Sequence, residues 1–83
     1  NIQCSVLVLH GADDPHVPRE QVTAFEDEMR SAGVDWQFTE YGGAVHAFTD
    51  YRLPTDPTTG AAYNEQAAKR AWAAMLGFFA GLF

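Results

Sequence analysis

Eighty-three residues carry 47% apolar and 13% aromatic side chains, with a formal net charge of −6. That balance argues against a nucleic-acid surface, which needs clustered Lys and Arg, because only Lys69 and Arg70 are adjacent among five basic residues. The single cysteine, Cys4, excludes an internal disulfide framework and says little about compartment.

The stretch "CSVLVLHG" (4–11) holds a continuous apolar run, Val6 to Leu9, stopped by Gly11. Unbroken apolarity suits a strand covered on both faces, as in a parallel sheet. A piece of buried helix competes, but the run is short, valine-bearing and ended by glycine. After it comes "GADDPHVP" (11–18), with two adjacent carboxylates, Asp13 and Asp14.

From Pro18, suited to a first helical position, a helix is expected to run until Gly33. Val22, Phe25, Met29 and Ala32 give it one apolar face. Glu26, Asp27, Glu28 and Arg30 fall mostly on the wet side. "VDWQFTEY" (34–41) then alternates, Trp36 and Phe38 pointing one way and Gln37 and Thr39 the other, which predicts a more peripheral strand. Gly42-Gly43 break it and lead into "GGAVHAF", with His46 among small residues.

Residues 50–61, "DYRLPTDPTTGA", predict an irregular loop that crosses the surface rather than shaping a substrate mouth. The last element, "NEQAAKRAWAAMLGFFAGLF" (64–83), predicts a helix whose stripe of Ala68, Ala71, Trp72, Met75, Leu76 and Phe79 makes core contacts. Its apolar stretch, 71–83, has thirteen residues where a bilayer span needs about 20. No charged-then-apolar leader opens the chain, so a soluble, cytoplasmic protein is the expectation.

The order is strand, loop, helix, strand, loop, helix, which implies an α/β fold with parallel strands and helices on the sheet's faces. A chain this short hides only about 60–65% of its unfolded surface. The apolar load suits a larger body, and the chain begins at Asn1, just ahead of a buried strand. A piece of a larger domain is therefore expected.

Asp14 and His46 each sit just past a strand's carboxyl end, where the loops of such sheets line the functional crevice. Histidine can accept and return a proton near neutral pH, provided one ring nitrogen is held. A carboxylate does this by fixing the tautomer and stabilising the imidazolium as it forms. Each residue also has a plainer role: a turn histidine for His46, and a turn or helix-capping carboxylate before Pro18 for Asp14. Placed together at successive strand ends, the two favour an acid and a base.

Acid followed by base matches the end of the order nucleophile, acid, base in α/β-hydrolases, yet these residues contain no G-x-S-x-G or G-x-C-x-G. Cys4 precedes the first strand, so well over 10 Å separates it from the Asp14 edge, and a structural role is expected. His10 is expected to pack or hydrogen-bond locally, and His16 to lie on a surface loop rather than at the site mouth. Asp13, Asp14, His16 and His46 are metal-ligand types, but no H-E-x-x-H or paired-cysteine spacing supports a metal, and no metal or cofactor is expected.

"VLVLHGADDPHVP" followed by "FTEYGGAVHAFTDY" resembles the C-terminal part of α/β-hydrolases, specifically the dienelactone hydrolase family. The family's acid motif, G-x-x-D-x-x-V-P, matches Gly11, Asp14, Val17 and Pro18; its base motif, G-x-x-H-x-F, matches Gly43, His46 and Phe48. "AYNEQAAKRAWAAMLGFF" is similar to the family's last helix, and the likeness runs from Ser5 to Phe79. The register selects Asp14 over Asp13, which is expected to meet solvent or cap the turn.

The resemblance implies that residues 1–83 are the C-terminal fragment of a single α/β-hydrolase domain acting on a small-molecule ester or lactone. Asp14 and His46 would be catalytic. The nucleophile, Cys or Ser, would lie in an upstream segment or a companion chain, leaving the isolated chain inactive. Another α/β-hydrolase, such as an oligopeptidase-like peptidase or an acyl esterase, is the alternative enzyme. An interaction module that uses its sheet edge and apolar helix faces is the non-catalytic one.

Overall fold

The computed structural model describes residues 4–82. Its elements are β1 (Val6–Gly11), α1 (Arg19–Ala32), β2 (Trp36–Tyr41), a 3-10 turn (Pro57–Thr59) and α2 (Glu65–Leu82). Phe83, the last residue of the expected final helix, lies outside the described residues. β1 and β2 pair in parallel, from Val6 opposite Trp36 to Gly11 opposite Tyr41. Their carboxyl ends therefore finish side by side, and the loops after both strands leave from one edge.

Strand alternation separates two faces. On one, Phe38 meets Phe25 of α1 at 5.9 Å, and the Arg30 guanidinium lies 5.4 Å from the Trp36 ring centre. Val22 and Met29 of α1 are buried. On the other face, Leu9 and Tyr41 pack against a small core of Ala44, Phe48, Ala67 and Ala71. Each helix thus covers one face of the strand pair, an α/β arrangement.

Pro18 stands at the N-cap of α1 with extended backbone (φ −69°, ψ 156°), rather than at the first helical position. Its ring fixes φ at a value helix and extended chain share, so ψ alone decides where the helix starts. Gly33 ends α1 at φ 67°, with its N–H donating to Arg30 O and the Val34 N–H donating to Met29 O. This is the glycine-closed Schellman pattern. Ala32 is exposed, since the chain has already turned away from the sheet there.

Two expectations about burial need correction. Val6 to His10 are only half-buried, because β1 pairs with β2 along one edge and no other strand lies beside it among the described residues. Of the expected α2 core stripe, Ala71 is buried, but Trp72, Leu76 and Phe79 are 61%, 52% and 47% exposed. An α-helix of this length spans about 27 Å, whereas two paired strands lie only about 5 Å apart, so most of α2 overhangs its floor. No helix among the described residues is long and apolar enough to cross a membrane.

Candidate active site

Gly11 closes β1 where only a glycine fits. A Cβ there would stand 2.7 Å from the carbonyl oxygens of both Ala44 and Val45. Without one, the loop that follows β2 lies directly on the end of β1. The Ala12 and Ala44 N–H groups both donate to Tyr41 O, at 3.0 and 3.2 Å. The second bond closes a turn over residues 41–44 with Gly43 at φ 78°, the left-handed third position that favours glycine.

Asp14 leaves this platform one residue beyond Asp13. Its Oδ1 accepts the His16 backbone N–H at 2.8 Å, and its Oδ2 lies 3.1 Å from His46 Nδ1. The Asp14 side chain is 7% exposed and that of His46 is 53% exposed. Burial by itself would raise the Asp14 carboxyl. The His16 N–H, the hydrogen bond and charge of His46, and the field of His10 outweigh it and hold the group below the usual carboxylate range. An ionised carboxylate only accepts, so the proton at this contact belongs to His46 Nδ1, which leaves Nε2 as the acceptor whenever the ring is neutral.

The backbone of His46 is held as well. Its N–H donates to Gly60 O and its carbonyl accepts the Ala62 N–H, both at 3.2 Å, a parallel bridge opposite Ala61. The next residue, Ala47, is left-handed at φ 57°, which turns the chain so that Phe48 enters the core. Asn64 N–H then donates to Phe48 O at 2.9 Å, while Asn64 Oδ1 caps α2 by accepting the Ala67 N–H. The loop at 50–61 does run along the surface, with Tyr51 exposed, but its far foot is tied to the backbone of His46.

The structure thus brings Asp14 and His46 together. Asp13 is exposed, yet it also binds the neighbouring turn: its Oδ2 accepts the Gly43 N–H at 2.8 Å. His10 meets the Phe38 ring edge-on at 5.6 Å. His16 is both on the surface and at the site, its ring edge-on to that of His46 at 5.0 Å. Cys4 is exposed at the amino end of β1, so it is not a packing residue, and the six-residue strand separates it from the Asp14 edge. Beside Asp14 opens a cavity of about 350 Å³, lined in part by His10, Ala47, Phe48 and Thr49. Among the described residues no three His, Cys, Asp or Glu side chains gather in a way that would hold a metal ion.

Sequence reasoning missed the cross-loop grip of Asp13 and the ring contact of His16. Adjacency to Asp14 was the only signal for either.

The chain matches the model of the dienelactone hydrolase family over residues 1–83. It is 40% identical over 74 residues to "Uncharacterized protein K02A2.1" of Caenorhabditis elegans, covering 89% of this chain and 47% of that protein. It is 33% identical over 81 residues to a putative carboxymethylenebutenolidase of Salmonella typhimurium, covering 96% of this chain and 27% of that one. The crystal structure of a dienelactone hydrolase-like promiscuous phosphotriesterase from metagenomic libraries superposes with a TM-score of 0.90 at 49% identity. That match covers 99% of this chain and 34% of the other. A second solved structure, m3DLH, gives a TM-score of 0.87 at 44% identity, over 95% of this chain and 33% of that one. The chain therefore spans less than half the length of these relatives. It belongs to the dienelactone hydrolase family.

Proposed function

We propose that these 83 residues are the C-terminal part of a single α/β-hydrolase domain and supply the acid and base of a triad that hydrolyses esters or lactones. Asp14 is the acid and His46 the base. The nucleophile, Cys or Ser, belongs to an upstream segment or a companion chain. The observation that carries this reading is the 3.1 Å contact between His46 Nδ1 and Asp14 Oδ2, with a buried carboxylate beneath an exposed ring. Family membership and the relative called a putative carboxymethylenebutenolidase support it.

In this mechanism His46 Nε2 takes the nucleophile's proton as the nucleophile attacks the carbonyl carbon. Asp14 keeps the ring upright and balances the imidazolium that forms. The same proton then goes to the leaving alkoxide, giving an acyl-enzyme. His46 next deprotonates a water, whose attack releases the acid and restores the nucleophile. The donors that stabilise the oxyanion come from outside this chain. A phosphotriester is the second electrophile to test, since the 49% identical solved relative is described as a promiscuous phosphotriesterase.

The test is hydrolysis of 4-nitrophenyl acetate, and of a 4-nitrophenyl phosphotriester, by the complete polypeptide. His46→Ala is expected to lower kcat by about 10²–10⁴-fold, the range a positioned general base contributes. Asp14→Asn is expected to lower it by about 10⁴-fold through loss of the working tautomer. The 83-residue chain by itself is expected to turn over neither substrate. A complete polypeptide whose kcat survives His46→Ala, or an isolated chain whose turnover that change abolishes, would overturn the reading.

A further inference from the structure

We propose that Asp13 is a positioning residue, whose carboxylate clasps the loop carrying His46 and so sets the reach between the imidazole and Asp14. It rests on the triad reading above for its effect on turnover, but its geometry stands by itself. Asp13 Oδ2 accepts the Gly43 N–H at 2.8 Å, and the Asp13 N–H donates to Ala44 O at 2.9 Å. One residue thus grips a donor and an acceptor on consecutive residues of a loop thirty positions away in sequence. The bond to the carboxylate is charge-assisted, about twice as strong as a neutral one.

Three features make this grip act on the histidine rather than on the fold at large. Asp13 is exposed and fills no part of the core, so its contribution is directional. It is bonded to Asp14 and shares its turn, which the Asp14 N–H closes on Gly11 O at 3.1 Å. Moving the 43–46 backbone therefore moves the ring relative to the acid with no slack between them. The grip on Gly43 and Ala44 and the Gly60 and Ala62 bonds to His46 also come from two separate segments, so the histidine's loop is fixed at two points. Among the described residues no hydrogen bond joins Asp13 to the His46 ring, whose partner is Asp14.

The test uses the complete polypeptide with Asp13→Ala and Asp13→Asn. A misplacement of about 1 Å at a reacting group can cost about 10²-fold in rate, so Asp13→Ala is expected to lower kcat by about 10–100-fold with KM little changed. Asp13→Asn, whose amide oxygen can accept the same N–H, is expected to recover most of the loss. The second readout is the His46 Nδ1–H proton signal by NMR, expected to be sharp in the parent and in Asp13→Asn, and broadened or lost in Asp13→Ala. The proposal is overturned if Asp13→Ala leaves that signal unchanged, or if kcat falls only in step with the unfolded fraction seen by circular dichroism. His46→Ala judges the triad separately, and if the triad fails, the Nδ1–H signal still decides the clasp.

Discussion

The carboxyl end of the strand pair and the flank where α2 overhangs β1 are built to different degrees of completeness. At the first, residues 11–14, 41–46 and 60–62 exchange backbone and carboxylate hydrogen bonds from one segment to the next. At the second, Leu7, Leu9, Met75, Phe78 and Phe79 line an open groove of about 530 Å³, while Trp72 and Leu76 face outward. Hydrogen bonds are short-ranged and can be completed between neighbouring loops. Apolar burial scales with area, and two strands offer too little of it. The geometry of the candidate site is therefore set inside these residues, whereas the apolar flank has no cover among the described ones.

The sharpest way to break the tight side is Gly11→Ala. The new Cβ would meet two backbone carbonyl oxygens at 2.7 Å, neither of which can swing aside as a side chain does. Overpacking of this kind costs about 1–3 kcal/mol. Urea unfolding of the complete polypeptide should show that loss, and ester kcat should fall with it as the His46 loop lifts. An unchanged urea midpoint would mean that the loop does not rest on β1.

Leu76→Gln probes the loose side. If the α2 flank is covered in the complete polypeptide, burying that amide without a partner costs about 1–3 kcal/mol beyond the lost apolar contact. If the flank stays wet, the change should fall within about 0.5 kcal/mol, as surface substitutions do. A smaller effect of opposite sign is expected for Ala47→Gly. Relief of the left-handed backbone at φ 57° outweighs glycine's extra chain entropy by about 0.5 kcal/mol, which a melting curve can resolve.

The finest test is acid titration of stability. Because Asp14 is held below the usual carboxylate range, its contribution is present in full above the unfolded-state value, near 4. It is lost as pH falls through the lower folded-state value. Asp50, held low by Arg52, and Asp56, held low by Thr58, act in the same sense. The Asp14 share is therefore read below about pH 5, as the difference between parent and Asp14→Asn curves, which closes as pH falls below about 4. A gap that stayed open below that range would contradict a carboxyl held low.

Much of this arrangement was legible in the sequence. Gly11, Gly33 and Gly42-Gly43 punctuate the elements because each marks a close approach or a sharp turn. Asp14 and His46 stood out because the loops after parallel strands share an edge. What stayed hidden were contacts with no period and no motif. The bond from Asp13 to Gly43, the ring contact of His16 with His46, and the return of residues 60–62 to His46 each join loops whose path depends on the whole fold. The α2 stripe failed in another way: periodicity marks a face as apolar without saying whether enough sheet exists to receive it.

The bridge between His46 and Gly60–Ala62 turns the intervening residues into an arch with both feet planted. Lengthening such an arch twofold raises its closure entropy by only about 0.6 kcal/mol, so its span is nearly free to vary while its feet stay put. Pro54 O accepts the Tyr63 N–H, and Pro57 O accepts the Gly60 N–H, so residues 54–60 belong to the far foot. Residues 51–53 are thus where the arch can change in length and chemistry with least effect on the imidazole, and the rim can diverge while the Asp14–His46 contact stays put.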